Sequence, residues 1–447
     1  MRSGALLFLF LVPAGCHAPW PGGSAGEEAF ESNAIREWSL DMTDENRLRL
    51  IADPGSMTCQ GGGLGPACQD EAGCPAGCAC QEGACRWRWV EADMEVDGMR
   101  LSRVGVRITG DRREAKPHLR VRFDAFVPGQ RFFSLSTIAL RANRGDPSQI
   151  REKLAFELFR RANLCAPRAA FAWVKLNGED LGLYTQVQRV DRKLLSACFG
   201  EDFGNLYRLQ AGADLVLRGE RPEDFDPPFA ALYEKTTNEG SADVSDLLWL
   251  MRLLASDDLA GLERTLDIDE YLRLLAVNSW LSNLDSYPGT GGNVYLYRDA
   301  SGRFRIIPWD LSRAFGNYHG PACALSADEM QALDPEAPTC GDPRPLVDRL
   351  LAVPAYRAAY LRHLADLAGS ALSPGSVMAL ARRFHASVQD AAHRDGRKGF
   401  SNAEFDAAIE SDTPPGTNPV RAPGIRPFAL ARERAVREAL AKPRDVR

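Results

Sequence analysis

The sequence of 447 residues predicts an α+β fold in which a strand-rich first part is followed by a helical second part. Strand-like alternation and hairpin signals prevail between residues 87 and 187. Beyond residue 200, apolar residues recur at helical spacing, most clearly over residues 267–284. A short hairpin among those helices carries carboxylate and amide side chains on both of its flanks. The polar residues that could perform chemistry therefore lie near the join of the two parts.

The strand predictions rest on alternation and on turn residues. Residues 35–53 alternate like a strand and then acquire helical spacing. Strand character resumes at Trp87, and the basic/apolar alternation over residues 116–123 is typical of another strand. Asn177 and Gly178 separate two apolar runs, which is a strong signal for a β-hairpin.

The helix predictions rest on capping residues. The first helix after the early strands is predicted to begin at Asp146, with Pro147 at its first position and Gln149 at its third. In the second part, Asp267 and Glu270 form a capping box at the start of a long apolar helix. That helix leads directly into the most informative stretch of the chain.

This stretch is a predicted hairpin, formed by residues 294–297 and 304–307, with polar residues around it. Asp285 and Asn293 precede the hairpin, and Asp310 follows it. Protein kinases place in this order a loop carboxylate that orients the attacking hydroxyl, a metal-binding asparagine and a magnesium-binding aspartate. The spacing of eight residues between Asp285 and Asn293 (293 − 285) is wider than in the kinase loop.

Composition excludes several classes of function. A formal net charge of −6 and a pI near 5.7 give no electrostatic reason to expect nucleic-acid binding. The six histidines form no set with ligand spacing, so a catalytic zinc ion is not expected. The Gly-x-Ser-x-Gly pattern occurs at 22–26, within the segment interpreted below as a tether, and forms no nucleophile elbow between a strand and a helix, which argues against an α/β-hydrolase.

The start of the chain is typical of an export signal. Residues 1–16 combine a basic start, an apolar run and small residues before Cys16. Ala14, Gly15 and Cys16 resemble the bacterial lipobox, in which the cysteine is lipidated and anchors the protein to a membrane. Pro13 departs from that pattern, so a plain secretory signal stays open. Residues 17–34 are interpreted as a tether.

Cysteine usage also favours export. Apart from Cys16, ten cysteines remain, and this even number predicts disulfides in an oxidising compartment. Six of them crowd into residues 59–85, which we interpret as a disulfide-rich insertion. A zinc site is the alternative for this segment, but it contains no histidine. Cys323 and Cys340 could close one loop in the second part.

A series of short motifs runs through the chain in a fixed order. They are Gly-Val-Arg-Ile-Thr-Gly at 105–110, Asp-Pro-Ser-Gln-Ile-Arg-Glu-Lys at 146–153, Asn-Gly-Glu-Asp-Leu-Gly-Leu-Tyr at 177–184, Gly-Asn-Leu-Tyr at 204–207, Asn-Leu-Asp-Ser-Tyr at 283–287, Asn-Val-Tyr-Leu-Tyr at 293–297 and Trp-Asp-Leu-Ser-Arg-Ala-Phe-Gly at 309–316. Each motif is weak by itself, but the ordered set is specific. By these motifs the chain resembles the CotH kinase family of secreted and spore-coat proteins over residues 35–440, interrupted by the insertion.

The resemblance implies a protein-kinase-like two-lobed fold, with a strand-rich N-terminal lobe and a helical C-terminal lobe. It also implies ATP as a cofactor, with Mg²⁺ or Mn²⁺. Carried over residue by residue, it places Asp285 near the acceptor hydroxyl, and it makes Asn293 and Asp310 the metal ligands.

The same resemblance implies a lysine that contacts the phosphates and a glutamate that pairs with it. Lys116 is the candidate lysine, and Glu152 on the first helix is its candidate partner. Lys175 is the alternative lysine, although it follows Glu152 in the sequence and so breaks the usual order.

Two departures from the family pattern bear on activity. Gln188 stands where the family generally has a glutamate, and Ser312 stands where it often has an acid. Both departures are expected to remove negative charge near the site, while Asp285, Asn293 and Asp310 are retained.

The leading interpretation is an exported kinase that phosphorylates serine or threonine of a protein substrate on the cell surface or in the envelope. The alternative is a catalytically degenerate surface module for adhesion or binding, with the cysteine-rich insertion as its contact surface. Neither interpretation involves nucleic acid.

Overall fold

The computed structural model of the protein describes residues 26, 28–30, 34–51, 78–81, 84–87, 89–109, 114–415 and 421–442. The predicted export signal with Cys16, most of the predicted tether and most of the cysteine-rich insertion lie outside the described residues. Those interpretations therefore stay predictions.

The first part of the chain forms a barrel. Its strands are β1 (Arg36–Asp41), β2 (Cys78–Gln81), β3 (Ala84–Trp87), β4 (Val90–Val96), β5 (Met99–Thr109), β6 (His118–Arg122), β7 (Thr137–Arg141), β8 (Ala169–Leu176) and β9 (Glu179–Gln188). Among the described residues, seven strands close in the order β1-β4-β5-β6-β7-β9-β8, while β2 and β3 pair only with each other. The closing strand is β1, which pairs antiparallel with β4 and parallel with β8. The strand-rich first part is confirmed, but closure into a barrel was not predicted.

Alternating side chains fill the barrel interior. Trp38 and Leu40 of β1 point inward together with apolar residues from each of the other barrel strands. The indole nitrogen of Trp38 donates a hydrogen bond to the Gln186 side chain over 2.9 Å, so these two polar groups inside the barrel are paired. The opposite face of β7 and β9 packs on the core of the second part, through Ala139 and Val187.

Helices α1 (Asp44–Ile51) and α2 (Arg151–Arg161) belong to the first part. The second part consists of α3 (Arg192–Phe199), β10 (Leu206–Leu209), α4 (Phe229–Leu232), β11 (Tyr233–Lys235), α5 (Ser245–Leu254), α6 (Leu259–Thr265), α7 (Ile268–Trp280), β12 (Val294–Arg298), β13 (Phe304–Pro308), α8 (Ala327–Gln331), α9 (Pro345–Leu351), α10 (Pro354–Ala368), α11 (Pro374–Arg394), α12 (Asn402–Ala407) and α13 (Ile425–Ala441). Its four strands form one sheet in the order β11-β10-β12-β13. None of the helices within the described ranges has both the length and the apolar character that a membrane span requires.

Both predicted hairpins are confirmed, as β8–β9 and β12–β13. The predicted start of α2 is wrong, since the helix begins at Arg151 rather than next to Asp146. The Asp146 carboxylate instead accepts hydrogen bonds from the backbone of Ser148 and Arg151, over 2.9 and 2.8 Å. The carboxylate thereby closes a turn that brings the chain into the helix, and Gln149 lies in the left-handed region at φ 60°.

Two disulfides are present among the described residues. Cys323 pairs with Cys340, as the sequence predicts, and Cys165 pairs with Cys198. The second bridge ties the segment after α2 to α3. Both bridges agree with the predicted oxidising compartment.

The buried pair of Lys116 and Asp395 joins the barrel to the helical part. Their side chains are 2% and 0% exposed, and Nζ of Lys116 lies 2.6 Å from Oδ2 of Asp395. The Lys116 ammonium also donates to the Leu183 carbonyl, and the Leu183 amide donates to Asp395. Gly182 is required beside this pair, because a Cβ there would collide with the Asp395 carboxylate and its φ is 102°.

This pair corrects the predicted contact between Lys116 and Glu152. Lys116 forms its ion pair with Asp395, which follows α11. Burial lowers the pKa of the Lys116 ammonium, although the Asp395 carboxylate opposes that shift. A buried lysine whose N–H groups donate to protein oxygens has a structural role, in packing and charge pairing.

We expect Lys116→Met to destabilise the protein by about 3–5 kcal/mol, because it leaves the Asp395 carboxylate buried without a partner. Denaturant unfolding measures this change. Lys442→Met is the matched control, since Lys442 pairs with Asp334 at the surface over 3.0 Å and its loss should leave the stability nearly unchanged. A Lys116 variant with unchanged stability but lost nucleotide binding would show instead that this lysine contacts phosphate.

Candidate functional site

The β12–β13 hairpin brings Asn293 and Asp310 together at one end. Asn293 immediately precedes β12, and Asp310 follows β13 by two residues. The amide of Trp309 donates to the Asn293 carbonyl over 3.0 Å, so the strand pairing extends to the site. Both residues have left-handed backbones, with φ values of 54° and 48°. Asparagine and aspartate tolerate this conformation better than most residues.

Asp285 lies in the loop that joins α7 to β12. The Asn293 side-chain amide donates to the Asp285 carbonyl over 3.0 Å, and the Thr290 hydroxyl lies 3.4 Å from the carboxylate. Burial and the nearby charge of Asp310 raise the pKa of Asp285 to about 6. The wider spacing noted in the sequence is accommodated by a compact loop, in which Gly291 has φ 82° and lies against the Ala213 carbonyl.

The start of this loop is fixed by asparagines and by the C-terminal helix. Asn278 and Asn283 exchange two hydrogen bonds of 3.0 Å each, which explains why α7 ends before the predicted residue 284. Arg432 of α13 is buried and donates to the carbonyls of Ser279 and Trp280 over 3.2 Å each. The carbonyls at the end of α7 are thus satisfied by a side chain from far along the sequence.

Asp310 is held by a neighbouring arginine and a neighbouring serine. Nη2 of Arg141, the last residue of β7, contacts Oδ1 of Asp310. The Ser312 hydroxyl donates to the same oxygen over 2.8 Å. Burial alone would raise the pKa of Asp310, but the Arg141 charge and the hydrogen bond from Ser312 outweigh it and hold that pKa below its usual value.

Glu152 completes this charged group from the first turn of α2. Its carboxylate lies 3.4 Å from Nε of Arg141 and accepts a hydrogen bond from the Leu311 backbone. The residue is 3% exposed. Burial raises the pKa of Glu152 to about 7, although the Arg141 charge opposes that shift. Arg141 therefore bridges Glu152 and Asp310.

Sequence reasoning missed Arg141, and a signal for it existed. Residues 137–141 form a short strand of apolar alternation that ends in this arginine, directly before the helix that carries Glu152. The order of strand, basic residue, helix and acid is the order in which kinases place their lysine and glutamate. The alternative lysine, Lys175, lies on β8 opposite Asp180.

The two departures from the family pattern have different surroundings. Ser312 contacts Asp310, so the position at which this chain lacks the acid lies at the site. Gln188 is not at the site, which corrects the expectation. It lies opposite Ile138 on the barrel-facing side of β9, and its side-chain oxygen accepts from the Arg168 amide over 3.3 Å.

A cleft of about 330 Å³ opens between the barrel and the end of the hairpin. We call it the arginine cleft, and its lining consists of Arg107, Thr109, His118, Arg120, Ala139, Arg141, Arg144, Arg208, Trp309 and Asp310. Nδ1 of His118 accepts a hydrogen bond from the Ala142 amide over 2.9 Å, which fixes the ring. Among the described residues, five arginines and one carboxylate line the cleft, so its electrostatic potential favours anions.

The residues at the hairpin end suit a hard cation chemically. Carboxylate and amide oxygens, as on Asp310 and Asn293, are the ligands that Mg²⁺ accepts, with further positions left for phosphate and water. Within the described ranges, no cluster of three or more histidine, cysteine, aspartate or glutamate side chains could hold a metal ion. This donor set therefore fits a cation that is held jointly with a ligand phosphate.

Comparisons with known proteins agree with this geometry. The sequence profile of the family described as CotH kinase protein matches residues 106–411. The chain is also 28% identical to the inner spore coat protein H of Bacillus subtilis (strain 168) over 215 residues, which is 47% of this chain. The chain thus spans 59% of the length of that relative. Because the family profile covers more than half of the sequence, the chain belongs to the CotH kinase protein family.

Proposed function

We propose that the protein is an exported kinase that transfers the terminal phosphoryl group of ATP to serine or threonine of a protein in the cell envelope or on the cell surface. One observation carries this proposal, namely that Asp285, Asn293 and Asp310 surround one hairpin end beside an anion-attracting cleft. Family membership and the name of the spore-coat relative support both the chemistry and an extracytoplasmic location.

Asp310 and Asn293 would hold Mg²⁺ or Mn²⁺. When bound, this cation would neutralise part of the phosphate charge. Arg141 lies between Glu152 and Asp310, so it can contact a phosphate oxygen while Glu152 keeps it in place. This arrangement gives Arg141 the place that the resemblance assigned to a lysine.

Asp285 is the residue that faces the acceptor in this proposal. As the acceptor oxygen bonds to the terminal phosphorus, the bond from that phosphorus to ADP breaks, and the hydroxyl proton passes to Asp285. A carboxylate whose pKa is about 6 is largely ionised at neutral pH and can accept this proton. The buried loop around Asp285 holds the carboxylate in one orientation.

A second candidate function is a non-catalytic surface module, and one observation favours it. Arg141 and Ser312 both contact Oδ1 of Asp310, so a guanidinium already neutralises the carboxylate that would bind metal. On this alternative, the charged group is a structural ion pair and the insertion contacts the partner. Metal-dependent nucleotide binding distinguishes the two functions, because a structural ion pair gives no such dependence.

We expect Asp310→Asn to weaken Mg²⁺-dependent ATP binding by at least about tenfold, since the metal loses its anionic ligand. Calorimetric titration with ATP, in the presence and absence of Mg²⁺, measures the change. Asp299→Asn, at the turn of the same hairpin, is the matched control and should leave binding unchanged. Equal ATP affinities for wild type and Asp310→Asn would favour the non-catalytic module.

Asp285→Asn should behave differently from Asp310→Asn. We expect it to retain Mg²⁺-dependent ATP binding and to lose phosphate transfer by roughly 10²–10⁴-fold, because only proton acceptance is removed. Transfer of radiolabelled phosphate to the protein itself or to envelope proteins measures the rate. If Asp285→Asn loses binding and transfer together, this aspartate supports the loop and does not act on the acceptor.

Export through a lipidated Cys16 is the part of the proposal that concerns location. We expect Cys16→Ser to leave the precursor without lipid and to move the mature protein out of the membrane fraction. Fractionation followed by immunoblotting measures the distribution. An unchanged membrane fraction would show that Cys16 is not the anchor and would leave secretion as the alternative.

A further inference from the structure

Two arginines face each other directly where β5 meets β6. Arg107 pairs with Arg120 in the strand register, and Arg120 pairs with Ala139 of β7. All three line the arginine cleft. Like charges directly opposite each other repel, so the register brings two guanidinium groups together at the cleft although their charges oppose it.

Of the two arginines, Arg120 has the less favourable surroundings. Its Nε is buried and has no hydrogen-bond partner among the described residues. Burial, followed by the charges of Arg189, Arg107 and Arg208, lowers the pKa of this guanidinium well below its usual value. In the described part of the chain, no carboxylate forms an ion pair with Arg120. Arg141 differs in this respect, because it contacts both Glu152 and Asp310.

The rest of the arginine cleft adds further positive charge. Arg208 lies 3.8 Å from Glu234, which is a loose pair, and Arg144 lies 3.1 Å from Glu114. Guanidinium groups bind phosphate oxygens in a planar, two-pronged geometry, which makes arginine a better ligand than lysine for a chain of phosphates. The cleft therefore offers several phosphate-binding groups in succession, starting next to Asp310.

The cleft offers little to a nucleobase. Most small-molecule pockets are lined mainly by apolar side chains, which cover a flat ring on both faces. Among the described lining residues, Ala139 and Trp309 are the apolar ones. Arg189 already lies over the Trp309 ring, with 4.9 Å between the guanidinium carbon and the ring centroid, and Tyr295 meets that ring edge-on.

We propose that the phosphoryl donor is recognised through its phosphate chain and that the base contributes little. The inference rests on the proposed function. The triphosphate of any nucleoside then serves as donor, and so does linear tripolyphosphate. With tripolyphosphate, the acceptor oxygen bonds to the terminal phosphorus, the bond to the leaving diphosphate breaks, and the acceptor proton passes to Asp285. This specificity would free an exported kinase from dependence on one nucleotide.

The first test compares donors on the wild-type, full-length protein. Dissociation constants for ATP, GTP, CTP and tripolyphosphate are measured by calorimetry, each with Mg²⁺ and at constant ionic strength. We expect the four values to lie within about tenfold of one another, or 1.4 kcal/mol. Affinity for ATP that exceeds that for any of the others by more than this factor overturns the inference. Adenosine should give no shift in Tm, and a shift would also overturn it.

Transfer assays separate this inference from the proposed function. Each donor carries radiolabel in its terminal phosphate, and labelling of protein is followed. Transfer from all four donors supports the inference. Transfer from ATP alone overturns the inference and leaves the proposed function standing. Absence of transfer from every donor overturns the proposed function itself.

The second test removes the central charge with Arg120→Met. We expect a raised Tm without ligand, because an uncompensated cation is lost, and affinities for ATP and tripolyphosphate that fall alike by roughly ten- to a hundredfold. Arg122→Met on the same strand is the control, since Arg122 is exposed and pairs with Asp124. Arg208→Met provides a second variant with the same expected loss. Unchanged affinity for tripolyphosphate in both cleft variants overturns the inference.

Discussion

The candidate site depends on the position of one arginine between two carboxylates. Arg141 belongs to the barrel, Glu152 to helix α2 and Asp310 to the end of the β12–β13 hairpin, so this group ties together three elements that are distant in sequence. The carboxylates outnumber the guanidinium, and all three side chains are largely removed from water. A buried group of this kind gains little net stability but favours a single arrangement of the elements that carry it.

Local signals in the sequence predicted those parts of the fold that are decided locally. Asn177 and Gly178 predicted their hairpin because a two-residue turn requires residues that tolerate left-handed backbone, and the order of Asp285, Asn293 and Asp310 predicted their proximity. The pairing of Lys116 was not predictable in this way, because its partner Asp395 lies 279 residues further along the chain. Period-two patterns show which side chains share a face, but they do not show which strands pair. The parallel pairing of β1 with β8, which closes the barrel, could therefore not be predicted from the sequence. The same holds for the contact of Arg141 with Asp310.

The family match and the folded unit have different limits. The match begins at residue 106, within β5, although β1 and β4 lie before it and complete the barrel. It ends at residue 411, although α13 lies beyond it and packs into the core through Ile425 and Phe428. β1, β4 and α13 are thus structural parts of the same body, although they lie outside the match. The arginine cleft lies inside the match, on the outer face of a barrel that needs the earlier strands to close.

The contact of Arg432 with the end of α7 imposes an order on assembly. The carbonyls that it caps belong to the last residues before the loop of Asp285, and this cap comes from the last helix described. Ribosomes deliver residue 432 after every other residue of the site, so a nascent chain lacks this cap until α13 has been synthesised. The end of α7 is therefore completed by the arrival of α13, which follows the three aspartate and asparagine residues of the site along the chain.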